Sequence, residues 1–246
     1  MPMNALPTLL IPDKPDVERL AVAEAWRAMG GRVREVGKFW VKLDLEPGER
    51  ACIYGHEMFG LVMAQVNGLQ LATVDDAAIT RIGREWTKRK VELVQIGELS
   101  KLSFPVFVKP VQPKQFRAAV YPDWKALAEE MDGIDGEEMA IVSEVVQISA
   151  EARAFVLDGR VMDIAIYAGE ANLTRADAFV AGFLTSPIVE GGPEIEGSLM
   201  PRTFVVDIAF SDEVGWMVLE FNSSWGAGLN GCDAANVIPC IVAATE

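Results

Sequence analysis

The sequence predicts a two-part protein, an α/β layer followed by an α+β unit. Strands and helices alternate over residues 1–100, whereas strands dominate and helices become sparse from Phe104-Pro105 onward. A hairpin signal, Asp158-Gly159 between EARAFVL and RVMDIAIYA, anchors the second part. With 246 residues the chain lies between one large domain and two small ones, so core size is not limiting. Its 50% apolar and 24% charged residues exclude disordered, collagenous and fibrous classes. No internal repeat or low-complexity segment supports a solenoid or propeller.

Taken in order, Thr8 to Ile11 reads as a strand. Val17, Leu20, Ala21, Ala25, Ala28 and Met29 then recur on one helical face that stops at Gly30-Gly31. Ala51 to Tyr54 is a second strand, leading through Gly55 into a helix from His56 to Val66. Leu69 to Ala72 is strand-like, and Asp75-Asp76 stands ready to cap another helix. The pattern weakens from Glu92 to Leu102, which sets a boundary near residue 100 and domains of 1–100 and 101–246. A small lid of about 104–146 follows, with strands Val106 to Lys109, Phe116 to Tyr121 and Met139 to Val146 around an amphipathic helix Asp123 to Met131. The C-terminal lobe, about 147–246, holds the Asp158-Gly159 hairpin, a loose Gly/Pro/Glu-rich stretch at 185–201, and a second hairpin, TFVVDIAF and GWMVLEFN around SDEV.

Charge narrows the function. There are 36 acidic and 22 basic residues, a net −14, so the surface as a whole repels nucleic acid, although a local basic pocket can still hold a polyphosphate. No run approaches the ~18 to 20 apolar residues of a membrane helix, and MPMNALPTLLIPDKPD lacks the basic start and apolar core of a signal peptide, so a cytoplasmic location is expected. Cys52, Cys232 and Cys240 are odd in number and unclustered, which fits reduced buried thiols. With His56 as the one histidine, most triad and Cys/His metal chemistries are improbable.

The last hairpin carries the first candidate site. Glu220 and Asn222 are two apart in a strand and share a face. A four-residue loop at 211–214 pairs Phe210 with Gly215 and sets Asp207 opposite Val218, diagonal to Glu220. Two carboxylates and an amide so arranged suit Mg²⁺, a hard cation that shares its shell with phosphate and water. A half-exposed strand face shows the same polar alternation, and the pattern alone favours that reading over a metal site. Lys109 ends the apolar strand PVFV, Lys114 follows five residues later, and Glu151 and Arg153 share a face in EARAFVL. Taken singly, each of these is more often a surface charge or a structural ion pair.

Their order is more informative than any one of them. FPVFVKP with a second lysine, then SEVV, then ExR in a hairpin, then VVDI, then LEFN resembles the ATP-grasp superfamily. Within it, the paired lysines of FVKPVQPK and the arginine of EARAFV resemble the clade named after one arginine and two lysines. The resemblance covers roughly residues 104–240, and the preceding segment resembles a pre-ATP-grasp α/β layer.

The resemblance implies an ATP-grasp fold that binds ATP and Mg²⁺. Lys109 and Lys114 would contact phosphates, and Glu144-Val145-Val146 would form the hinge whose backbone reads adenine. Glu151 would lie near the ribose and Arg153 near the phosphates, while Asp207, Glu220 and Asn222 would hold magnesium. Arg153, Lys114 and Arg202 would be the catalytic cations. In the reaction this family implies, a carboxylate attacks the γ-phosphate and an amine captures the acyl-phosphate, which makes the chain a carboxylate-amine ligase acting on small-molecule or peptide substrates. Phosphoryl transfer without amide formation, and non-catalytic nucleotide binding, are the alternatives. Two departures are visible: the loop VQPKQF has no glycine, and Arg202 precedes Asp207 by five residues. Nothing in the sequence indicates an oligomeric state.

Other motifs lead elsewhere. GAGLNG at 226–231 fits a dinucleotide fingerprint but leaves only fifteen residues after Gly231, too few for the βαβ unit, and reads as a turn. Gly37-Lys38 lacks the rest of a P-loop. His56 reads as a helix cap, and the tryptophans mostly as core, with Trp225 a candidate substrate wall. RIGREWTKRK at 81–90 reads as a solvated helix end from which Lys88 could reach a nucleotide.

Overall fold

Apolar β-branched runs form the strands, and the Asp, Asn and Gly residues between them cap helices and close turns. The computed structural model describes residues 6–46, 48–186 and 200–245. In the N-terminal layer, β1 (Thr8–Pro12) is buried along its length and pairs in parallel with β2 (Val33–Val36) and β3 (Ala51–Ile53), in the order β2-β1-β3. Such central parallel strands read as continuous apolar runs. The edge strand β2, VREV, carries two charges, so its sequence gives little strand signal.

Helix α1 (Val17–Ala28) starts at Asp16, whose carboxylate accepts from the Arg19 amide at 3.0 Å. Its buried residues are Val22, Ala23 and Trp26; of the expected face Ala21 and Ala25 pack against the same core, whereas Val17, Leu20 and Met29 are exposed. Trp26 decides the rotation: it is the largest side chain on the helix, and its indole N–H donates to the Pro7 carbonyl at 3.1 Å. Helix α2 (Glu57–Asn67) is capped by His56 Nδ1, which accepts from the Phe59 amide at 3.2 Å. Leu69 to Ala72 provides a single bridge, Leu71 to Thr245, rather than a strand. Asp75 turns the chain by accepting from the Ala77 amide at 2.8 Å ahead of the 3-10 turn Ala78–Arg81.

A short helix, α3 (Arg84–Thr87), leads into the smaller lobe. There β4 (Val91–Gln95), β5 (Val106–Pro110), β6 (Ala119–Tyr121) and β7 (Met139–Ser143) form an antiparallel sheet in the order β4-β7-β5-β6. This sheet takes its first strand from before residue 100. It packs through Val108 and Ala140, with Leu99 from the 3-10 segment after β4, on α4 (Trp124–Glu130), which buries Leu127 and is capped by Asp123. β7 ends at Ser143, so residues 144–146 connect the lobes instead of extending the strand.

The C-terminal lobe is an antiparallel sheet of β8 (Ala150–Leu157), β9 (Arg160–Gly169), β10 (Thr203–Ser211) and β11 (Gly215–Asn222), ordered β11-β10-β8-β9. Asp158 and Gly159 both have positive φ, 48° and 72°, as a type I′ turn requires. One face packs on α5 (Leu173–Leu184), where Phe183 stacks on Phe221 at 5.8 Å between ring centroids. The other packs on the N-terminal layer, with α1 and α6 (Ala234–Ala243) over Phe155 and Val205. Neither α5 nor α6 was expected, because each is apolar over more than one stripe and flanks a segment read as loop. Most of the loose stretch 185–201 lies outside the described residues. All three cysteines are buried free thiols. Trp26, Trp216 and Trp225 are core and Trp86 packs against it, whereas Trp40 and Trp124 are exposed.

Two glycines share left-handed backbone but differ in surroundings. Gly169 (φ 67°) closes the β8–β9 pair, and a Cβ there would lie 2.0 Å from the Ser149 carbonyl oxygen; Gly68 (φ 70°) ends α2 with nothing within 4 Å. Both Ala variants incur about 1–2 kcal/mol of left-handed strain, but Gly169→Ala adds backbone overpacking of about 1–3 kcal/mol. Urea denaturation should therefore find Gly169→Ala clearly the less stable of the two, and equal losses would contradict the crowding argument.

Candidate functional site

Three adjacent strands bring three charged side chains into a row. Asp207 on β10 lies directly opposite Arg153 on β8 and Glu220 on β11, so all three point to one face. The expected register is corrected here. The loop is one residue shorter, pairing Ser211 with Gly215, and a bulge leaves Leu219 without a partner, so Asp207 faces Glu220 rather than Val218. A second bulge, between Glu151 and Ala152, leaves Tyr167 out of the β8–β9 pairing; its hydroxyl donates to Glu151 Oε2 at 2.5 Å.

Asp207 is almost wholly inaccessible, 1% exposed. Arg153 grips it with both edges of its fork, Nε to Oδ1 at 2.8 Å and Nη2 to Oδ2 at 2.6 Å. The third nitrogen, Nη1, donates to the Gly228 carbonyl at 2.9 Å, and the Tyr167 ring lies 6.0 Å from the guanidinium carbon. Arg153 thus reads as a buried clamp on Asp207 and not as the open phosphate fork expected from the sequence. Burial pushes the Asp207 carboxyl above its ordinary value against the pull of Arg153, with the Glu220 charge adding to the rise.

Glu220 meets the smaller lobe, where Lys109 Nζ donates to its Oε2 at 3.0 Å. Burial alone would raise the Glu220 carboxyl, but Lys109, by charge and hydrogen bond, and Asn222 hold it below its ordinary value. Asn222 Nδ2 donates to Asp207 Oδ2 at 3.0 Å and reaches Glu220 Oε1 at 3.5 Å. The two carboxylates therefore converge on one small donor group. Among the described residues no three His, Cys, Asp or Glu side chains gather as a metal site. A mixed set of two carboxylates and an amide nevertheless fits a hard cation that takes the rest of its shell from phosphate and water.

Between the lobes lies a cavity of about 320 Å³ whose floor includes Glu220. Lys109, Glu144, Val145, Val146 and Glu151 all line it, so five of the residues proposed for nucleotide contact share one space. Apolar walls come from Ile79, Phe107, Met217 and Leu219. The Glu144 side chain turns outward to Arg84 Nη2 (2.9 Å) and the Lys90 amide (2.8 Å). Among the described residues the backbone N–H and C=O of Val145 and Val146 have no hydrogen-bond partner, which leaves them able to meet the edge of a base.

Arg89 is the wall residue that the sequence did not single out. It is buried and donates to the carbonyls of Thr87 (3.0 Å) and Val218 (2.9 Å), with no carboxylate partner among the described residues; burial lowers its pKa. Lys88, the residue suspected from the same basic run, is exposed. Lys114 is exposed too, at φ 67° on the loop after β5, and its charge bears on His56 across the cleft.

Arg202 does not join the cluster. It pairs with Asp158 at the hairpin turn (3.0 and 2.8 Å) and lines a different cavity with Leu6 and Ile238, so its placement among the catalytic cations is corrected. Arg202 lies just before β10 (Thr203–Ser211), whereas Asp207 lies in the middle of that strand. The glycines 226–231 form the turn after β11, held by Glu18, which accepts from the Leu229 (3.1 Å) and Asn230 (2.7 Å) amides.

A family model described as an ATP-grasp domain, the second family of the clade named after one arginine and two lysines, matches residues 86–240. No curated protein matches the sequence. Solved structures share the fold at low identity. They include a RimK domain ATP-grasp protein from Sphaerobacter thermophilus (15% identity, TM-score 0.56, covering 96% of this chain and 99% of that one). D-alanine–D-alanine ligase from Bacillus anthracis is similar at 12% identity and TM-score 0.54, covering 98% and 97%. The D-cycloserine synthetase DcsG is similar at 13% and 0.54, covering 96% and 98%. The chain belongs to the ATP-grasp family, in its one-arginine, two-lysine clade.

Proposed function

We propose that this ATP-grasp protein is an ATP- and Mg²⁺-dependent ligase that joins a carboxylate to an amine through an acyl-phosphate. The observation that carries the reading is the Lys109–Glu220 contact, 3.0 Å across the cleft, where a cation from one lobe meets the acidic row of the other at the floor of the interlobe cavity. Solved structures of the same fold include an ATP-grasp ligase, PsnB, complexed with precursor peptide and AMPPNP.

In this reading the Val145 and Val146 backbone receives the base, Glu151 the ribose, and Lys109 and Lys114 the phosphates. Asp207, Glu220 and Asn222 would hold magnesium, which supplies charge neutralisation at the transferring phosphate. Arg153 is a positioning residue: it opposes protonation of Asp207 and fixes the carboxylate through hydrogen bonds to both its oxygens. Phosphoryl transfer asks for placement and charge more than for covalent help, so the lack of a side-chain nucleophile is no obstacle. Substrates would be small-molecule or peptide carboxylates and amines.

A screen of carboxylate and amine pairs for ADP release tests the reaction, and release should require both partners. Amine-independent phosphorylation of the acceptor would make the protein a kinase. Lys109→Ala should weaken ATP binding by roughly ten- to a hundred-fold, the loss of a charge-assisted contact of about 1.5–3 kcal/mol; unchanged affinity by calorimetry would remove Lys109 from the site. Asn222→Ala should abolish ADP formation in a folded protein, and retained turnover would refute its metal role. Asp207→Ala is the poorer probe, since it strands the buried Arg153 charge at a cost of about 3–5 kcal/mol.

A further inference from the structure

Beside the acidic row lies a second cavity of about 210 Å³ that shares Asn222 with it and is roofed by Pro113, one residue before Lys114. Two carboxylates line it from different elements, Glu57 in the first turn of α2 and Asp76 in the loop before the 3-10 turn. Neither carboxylate has a hydrogen bond or ion pair among the described residues. Among the described residues no lysine or arginine lines the cavity. Trp225 forms a wall, fixed by close packing on Gly60 of α2; its indole N–H is buried and lacks an acceptor among the described residues. Leu61 lines the rim and, with Met58 on the same helix, exposes apolar surface leading outward.

An anionic, cation-free cavity beside a proposed phosphate site suits a positively charged partner that approaches the reacting phosphate. Resting on the ligase reading above, the geometry points to this cavity as the seat of the amine substrate: a primary alkylamine without a neighbouring carboxylate, its ammonium held by Glu57 and Asp76 and its chain leaving over Leu61. An α-amino acid fits poorly, because its own carboxylate would face two carboxylates with no lysine or arginine in the cavity lining to receive it. Burial, with Glu57 and Asp75 adding to it, keeps the Asp76 carboxyl above its ordinary value despite Lys109, which suits a proton acceptor. In the reaction Asp76 takes one proton from the ammonium and the freed nitrogen attacks the acyl carbon. The C–N bond forms as the C–O bond to phosphate breaks, and the leaving phosphate carries off the second nitrogen proton.

The test is calorimetric titration of the full chain, saturated with AMPPNP and Mg²⁺, with 1,5-diaminopentane, its di-N-acetyl derivative and glycine. Diaminopentane should bind at least ten-fold more tightly than the other two, and Glu57→Gln with Asp76→Asn should weaken it at least ten-fold while AMPPNP affinity stays as in the unmodified protein. Equal binding of the acetylated form or of glycine, no binding of diaminopentane, or indifference to the double substitution would overturn the assignment with nucleotide binding intact. Failure of AMPPNP itself to bind would instead overturn the ligase reading on which the assignment rests.

Discussion

A carboxylate that is 1% exposed stays in a protein only if its charge is answered nearby, and Arg153 answers Asp207 through both oxygens. The pair fixes more than itself. It stitches β8 to β10, and through Nη1 it takes hold of the Gly228 carbonyl, in the turn that Glu18 of α1 grips through two amides. The clamp thereby ties the N-terminal layer, the central sheet and the turn after β11 to one point. Removing either charge leaves the other buried and alone, which is why this pair rather than any surface bridge sets the geometry of the acidic row.

The contact between lobes is of a different kind. Lys109 and Glu220 retain 28% and 38% side-chain exposure, and such a pair contributes about 0–1 kcal/mol. A weak bridge is easily exchanged for stronger partners. In the proposed function, phosphate replaces Glu220 as the partner of Lys109 and a cation replaces Lys109 as the partner of Glu220, while the Arg153–Asp207 clamp beneath stays in place. Rigid floor and exchangeable lid contact divide the work between the C-terminal and smaller lobes.

Much of this was legible in the sequence, for identifiable reasons. Asp158-Gly159 spells its turn because two consecutive positive φ angles demand such residues, and period-two spacing put Glu220 and Asn222 on one face. The bulge at Leu219 was invisible, since it changes register without changing which residues are apolar. Helix α1 turned about Trp26, whose one ring outweighed several smaller apolar side chains. Arg89 was hidden in a basic run of which Arg81, Arg84 and Lys90 form surface pairs and Lys88 is exposed; nothing in RIGREWTKRK marks the one arginine that folds inward. Arg202 entered the site only through the family resemblance, and its spacing from Asp207 was already a departure from that pattern; it lies before β10 and pairs with Asp158 at the hairpin turn.

The most direct measurement is a crystal structure of the protein grown with AMPPNP and Mg²⁺. The account predicts the base against the Val145–Val146 backbone, the triphosphate running from Lys109 to the Asp207–Glu220–Asn222 row with magnesium there, and Arg153 still paired with Asp207. A nucleotide bound elsewhere, or a metal held without Glu220 and Asn222, would contradict it.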